Sequence, residues 1–469
     1  MEVLKLAPIF LTISLILCAN INAKQYNNRQ EIPKKYRWNI TDIYKTEEDW
    51  IKAKKEVVKK FPLITKYKGK LGKSSKYLLE CLKLNSEIDK DLSKFYTYAA
   101  LKSDEDIRIS ENLAKKQEIL QLYTEYKSIA SFIEPEILKI DKKKIEKFIY
   151  KEPELEEYRF YLENLQRQKA HLLSEKEEKI LALSNLITNS PYTIFSVLSN
   201  ADLPYPEITL STGEKIKLNQ AGYQKYRTVQ NIKDREMVFH EFFSSLGKFQ
   251  RTYGTDLGAL VKTHIFYTKV RNYNSTLELA LDPNNISTEV YFKLIENVNK
   301  NLNRFHRYLK INKKLLGLDT LKYSDLYVPA VKSIDTEFDY DEAKEMVLNA
   351  LKPLGREYIQ TLKRAFNERW IDVYPTEGKR SGAYSNGSAY DVHPYILLNY
   401  TGQYNDVRRK GLMQNAECKL KNAKSSFVRF GFCTQNVYRN KFDFCILQSS
   451  FFNCRKAILP LGKSPSATS

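Results

Sequence analysis

Lys379–Val407, KRSGAYSNGSAYDVHPYILLNYTGQYNDV, is the stretch on which the reading of this chain turns. Ser381–Ser385 and Pro394–Tyr400 are short runs rich in Tyr, Ile and Leu, separated by a Gly/Ser/Asn/Asp segment. Runs of this kind bounded by turn formers read as two strands and their connection. The chain before them is mostly polar and periodic at helical spacing, so a small sheet interrupts a helical protein. Directly after Val407 stands Arg408-Arg409-Lys410-Gly411-Leu412, and helical periodicity is lost.

Upstream, the helices announce themselves by caps and periods. Thr46 precedes Glu47-Glu48-Asp49 and an apolar repeat at Trp50, Ala53, Val57 and Phe61, which Pro62 closes. Ser74 and Ser103 are placed to cap two more helices. Tyr77, Leu78, Leu82, Ile88, Leu92 and Phe95 mark the apolar face of one, and Ile107, Leu113, Ile119 and Tyr123 that of the other. Ser174 and Glu177 form a capping box for a helix through Ile180, Leu183 and Leu186. Leu203–Leu218, with Pro204, Pro206, Thr212 and Gly213, reads as a small hairpin between two helical domains. Asp282-Pro283-Asn284 is a turn before a helix through Val290, Leu294 and Val298.

Composition narrows the class. With 469 residues, 42% hydrophobic and 28% charged, and with only 16 Gly and 15 Pro, the chain is an aromatic-rich helical globule and not a disordered one. The net charge of +20 invites a nucleic-acid role. However, residues 408–469 hold 12 Lys/Arg against 2 Asp/Glu, half of the excess, and elsewhere Lys alternates with Glu on helix faces. No nucleic-acid partner is expected. Lys5 before an apolar run from Leu6 to Ala19, with Ala23 as a small residue for cleavage, reads as a signal peptide over 1–23 and implies export. An uncleaved apolar N-terminal helix is the alternative, and Leu15-Ile16-Leu17-Cys18 loosely resembles a lipoprotein box with Leu17 too bulky for it. Nothing later is apolar enough to cross a bilayer.

Several motifs occur together and in order: Glu134-Pro135-Glu136-Ile137-Leu138, Glu152-Pro153-Glu154-Leu155, His171-Leu172-Leu173-Ser174-Glu175, Asn200-Ala201-Asp202-Leu203, Leu281-Asp282-Pro283-Asn284-Asn285, Asp325-Leu326-Tyr327-Val328-Pro329 and the strand pair. In this order the chain resembles the oligoendopeptidase F family of zinc metallopeptidases, from Trp38 to Val407. The resemblance implies a mainly α fold. A helical N-terminal domain would span 24–203, and an incomplete, mostly helical zincin-like peptidase domain with a small sheet would span 204–407. It implies short oligopeptides as partners, added as an extra strand along Gly382-Ala383-Tyr384-Ser385, with Tyr384, His393 and Tyr395 bordering the cleft.

In the resembled family zinc is held by two histidines and a downstream Glu on helices that follow the strand pair. A helix that chelates zinc needs a second His at i+4. The chain has five histidines, His171, His240, His264, His306 and His393; the one His-Glu pair, His240-Glu241, has Ser244 at that position. Hence no catalytic residue, no metal ligand and no bound zinc are expected, and the chain reads as an inactive member. A non-catalytic peptide-binding protein using the edge strand near Gly382–Ser385 is the alternative. Residues 408–469 contain Cys418, Cys433, Cys445 and Cys454 without close Cys pairing or a turn framework. They read as an out-of-frame tail.

Overall fold

The computed structural model describes residues 26–330, 338–403 and 406–407. The expected signal segment 1–23, with Cys18, and the anomalous tail 408–469 lie outside the described residues.

α1 (Glu47–Lys60) starts at the expected cap: Thr46 Oγ1 accepts from Asp49 N at 3.1 Å, and three acids occupy the first turn. α2 (Ser75–Glu105) is capped by Ser74 and buries Leu78, Leu82, Ile88, Leu92 and Phe95 of the face read from the sequence, while Tyr77, expected on that face, stands exposed in the first turn. Ser103 is expected to open the next helix, yet α2 runs through it. Ser103 and Asp104 are buried, and Asp104 is engaged by residues far along the chain, so its side chain is not free to cap; the next helix, α3 (Ser110–Ile129), begins later. α4 (Ile133–Leu138), α5 (Lys142–Lys151), α6 (Arg159–Arg167), α7 (Glu175–Thr188) and α8 (Ser190–Val197) complete the first half, with the Ser174–Glu177 box in place at α7. Trp50, Phe61, Phe95 and Tyr126 fill the core of this half, each worth roughly 1.5–3 kcal/mol of burial.

β1 (Glu207–Thr209) and β2 (Lys215–Lys217) form the expected hairpin, Ile208 opposite Ile216. Beyond it come α9 (Gln220–Tyr226), α10 (Ile232–Gly247), α11 (Gln250–Val270), α12 (Thr276–Leu281), α13 (Thr288–Lys300), α14 (Leu302–Leu315), α15 (Tyr340–Ala350) and α16 (Arg356–Asn367). Among the described residues no helix is long and apolar enough to cross a membrane.

The sheet that organises the rest has three short strands, β3 (Ile371–Asp372), β4 (Tyr384–Asn386) and β5 (Tyr395–Leu397), in the order β3-β5-β4. β5 runs parallel to β3 and antiparallel to β4. Ile32 and Tyr36 from the start of the chain pack with Tyr340, Trp370, Tyr374 and Tyr400 under this sheet. Val373 N donates to Tyr36 O at 3.0 Å and Asn39 N to Arg369 O at 2.7 Å. The N-terminal segment therefore covers the β3 side and leaves β4 as the outer strand.

Candidate functional site

The hydrogen-bond ladder fixes which atoms β4 shows to the outside. Ile396 N donates to Trp370 O and Leu398 N to Asp372 O, so these residues of β5 face β3. Their neighbours Tyr395 and Leu397 face β4, where they sit opposite Asn386 and Tyr384. In an antiparallel pair inward and outward residues alternate. Ala383 and Ser385 therefore turn their backbone N–H and C=O groups outward, along an edge that no described strand pairs.

The loop leading into this edge is held from several directions. Lys379 is fully buried; its Nζ lies 2.7 Å from Asp372 Oδ1 and donates to the carbonyls of Tyr374 and Leu398 at 2.6 Å each. Asp372 also meets Arg29 Nη2 at 2.6 Å, and Arg29 reaches Glu105, which accepts from Trp38 Nε1 at 2.7 Å. Burial raises the Asp372 carboxyl, but Lys379 and Arg29 outweigh it and hold the group below its usual value. Gly378 adopts φ +72°, and a Cβ there would come within 2.0 Å of Asp106 Oδ1. Only glycine fits this close crossing of the loop over the end of α2. Arg380 Nη1 donates to Asp104 Oδ2 at 3.1 Å, Ser381 N to Asn200 Oδ1 at 2.9 Å, and Asn399 Nδ2 to Gly382 O at 2.7 Å.

Beside the edge lies a solvent-open cleft with a cavity volume of about 140 Å³. Its walls come from the residues after α8 (Asn200, Tyr205), from α9 (Gln220, Gln224) and from the loop and edge (Gly382, Ala383). Glu377 stands at it between Lys217 and Arg108; the Lys217 contact, then burial opposed by both cations, leave its carboxyl below the usual value. The site is thus a sequence-tolerant backbone edge next to a polar cleft with fixed charges.

Of the residues singled out from the sequence, Gly382 and Ala383 line this cleft. Tyr384, His393 and Tyr395 do not. Tyr384 donates to Asp104 Oδ2 at 2.8 Å, beneath Arg380. Tyr395 is wholly buried and donates to Asn39 O at 3.1 Å. His393 stacks on Trp370 at 4.2 Å, and its Nε2 lies 3.0 Å from Asp42 Oδ2. All three have their polar tips satisfied inside the fold. Asn200, Gln220, Lys217 and Arg108 were missed as cleft residues because nothing local marks a wall built from the end of α2, the segment around the β1–β2 hairpin and the loop before β4, which are far apart in sequence.

The other histidines are scattered. His171 stacks on Tyr273 and pairs with Arg271 O at 2.9 Å, His240 is exposed beside Glu241, and His264 and His306 sit on α11 and α14. Among the described residues no set of three or more His, Cys, Asp or Glu side chains is arranged to hold a metal.

Two family descriptions match the chain: residues 136–205 match Oligopeptidase F and residues 226–413 match Peptidase family M3. The chain belongs to this family of zinc-dependent peptidases, as an oligoendopeptidase F-type member with a mainly α fold. Oligopeptidase PepF of Bacillus subtilis is 36% identical over 396 residues, covering 84% of this chain and 59% of that protein. Group B oligopeptidase PepB of Streptococcus agalactiae is 34% identical, with coverages of 80% and 62%. The crystal structure of oligoendopeptidase-F from Enterococcus faecium superposes with a TM-score of 0.60 at 31% identity, covering 69% of this chain and 61% of that one. The chain spans about three fifths of the length of these relatives.

Proposed function

We propose that this exported chain captures short, extended peptides along the free edge of β4 and does not itself hydrolyse them. The observation that carries this reading is the outward alternation of Ala383 and Ser385 beside the cleft, on a strand whose other side is fully engaged. A peptide laid on that edge exchanges backbone hydrogen bonds with both residues, and its alternate side chains turn towards the cleft. Each bond contributes about 0.5–1.5 kcal/mol net, so the four that two residues can exchange contribute about 2–6 kcal/mol, an affinity from about tens of millimolar to about tens of micromolar, tolerant of sequence. Membership of a peptidase family acting on oligopeptides supports a peptide as the ligand. The described residues do not fit the zinc of that family: no two histidines of the sequence stand one helical turn apart, and no donor cluster is present among the described residues. No hydrolytic step is assigned to it.

The test is a titration of a short fluorescein-labelled peptide followed by anisotropy, alongside a quenched-peptide cleavage assay with added zinc. Saturable binding that a chelator leaves unchanged, without cleavage, is expected. Ser385→Pro, which removes an outward N–H that Pro can lack on an edge strand, is expected to weaken binding about ten-fold. Zinc-dependent cleavage by the purified chain, or peptide affinity indifferent to Ser385→Pro, would overturn the proposal.

A further inference from the structure

A second cavity, of about 40 Å³, lies where the C-terminal half of α2, the middle of α3 and α8 meet. A space of that size admits roughly three waters or one small ion. Tyr96 and Asp104 of α2, Lys116 of α3, and Tyr192, Thr193 and Ser196 of α8 line it. The Lys116 side chain is only 14% exposed, and its ammonium makes no hydrogen bond among the described residues. Its one carboxylate neighbour there is Asp104 Oδ1 at 3.9 Å, beyond hydrogen-bond distance. The other oxygen of that carboxylate is already taken: Asp104 Oδ2 accepts from Arg380 Nη1 at 3.1 Å and from the Tyr384 hydroxyl at 2.8 Å.

An ammonium withdrawn from bulk water keeps its charge only where acceptors replace that water. Asp104 divides its single charge between Arg380 and Lys116, so the Lys116 charge is answered only in part. Burial raises the Tyr96 phenol, with Lys116 opposing, so at neutral pH it keeps its proton. Together with the hydroxyls of Tyr192 and Thr193 it gives the wall O–H donors around the ammonium. We infer that this cavity is a binding site for a small monovalent anion of halide or formate size, held by the Lys116 ammonium and the hydroxyls of Tyr96, Tyr192 and Thr193. The volume and the Asp104 oxygen in the wall exclude a divalent oxyanion such as sulfate. A bound anion steadies the end of α2, from which Asp104 holds Arg380 and Tyr384 at the start of β4. The site is separate from the outward edge of β4 and does not rest on peptide capture there.

The experiment follows the NMR linewidth of chloride in solutions of the full chain at fixed ionic strength. Saturable broadening is expected, reversed by added formate and left unchanged by sulfate. Lys116→Met, which keeps the stem and removes the charge, is expected to weaken chloride binding about ten-fold or more. Tyr192→Phe, which removes one hydroxyl from a half-buried ring, is expected to weaken it about three-fold and carries the same test should Lys116→Met lose the parent's circular dichroism. Absence of saturable broadening would mean a cavity that holds water alone and would overturn the inference. Broadening as strong in both variants as in the parent, indifference to formate, or displacement by sulfate at the same ionic strength would each overturn it too.

Discussion

Replacing Lys379 by Met removes the ammonium from the centre of the buried network that holds the β4 loop. Asp372 stays fully buried and keeps only Arg29 as a cationic partner, while the carbonyls of Tyr374 and Leu398 lose their shared donor. Breaking a buried ion pair from one side costs about 3–5 kcal/mol; the Arg29 contact that remains argues for the lower end, about 3 kcal/mol. Adding Asp372→Asn removes the stranded charge and leaves Arg29 on Glu105, so the double variant should recover about 1–2 kcal/mol of that loss. The carboxyl's folded pKa lies below its ordinary value, so the parent's stabilisation by this group is present above about pH 4 and is lost as pH falls. The penalty of Lys379→Met should accordingly shrink in acid. Urea unfolding followed by Trp fluorescence reads this directly, since Trp38 donates into the network and Trp370 precedes β3. A single variant within about 1 kcal/mol of the parent, or strict additivity in the double variant, would refute the reasoning.

Asp256 on α11 is buried with neither carboxyl oxygen partnered among the described residues, and burial raises its pKa from 3.8 to about 6. The folded state holds its proton more tightly than the unfolded one, so stability falls as pH rises from about 4 through about 6. Asp256→Asn should therefore stabilise the chain at pH 7 by about 1–2 kcal/mol and give no gain below pH 4, measured as a shift in urea midpoint. His393→Ala removes the stack on Trp370 and the contact to Asp42, and should lower stability by about 1–3 kcal/mol while leaving peptide affinity unchanged, because His393 is not among the cleft residues. Loss of peptide binding in a variant that unfolds like the parent would return His393 to the site.

Local signals were legible in the sequence and distant ones were not. Thr46, Ser74 and the Ser174–Glu177 box act within four residues, so their helices start where the letters place them. Composition and turn residues place two strands within Ser381–Ser385 and Pro394–Tyr400; the strands are shorter, with β4 starting only at Tyr384 and β5 at Tyr395, and their antiparallel pairing comes from the structure. β3 did not, because a two-residue strand has no period to detect and its Asp372 looks like a surface residue until Arg29, from far upstream, and Lys379, seven residues on, close over it. Tyr384 was readable as a strand residue, but its direction is set by Asp104 at the end of α2. In α7 the positions expected on the apolar face, Ile180, Leu183 and Leu186, stand exposed and Leu181 is the buried one. Periodicity reports that a face exists; it does not report what covers it.

The most direct test of peptide capture is amide hydrogen exchange at Ala383 and Ser385, with and without a saturating short peptide and with a chelator present throughout. Slowing at these two outward amides, with Tyr384 and Asn386 already protected by β5, is the expected result. Unchanged exchange at Ala383 and Ser385 while the peptide is demonstrably bound would place the ligand elsewhere and contradict the account.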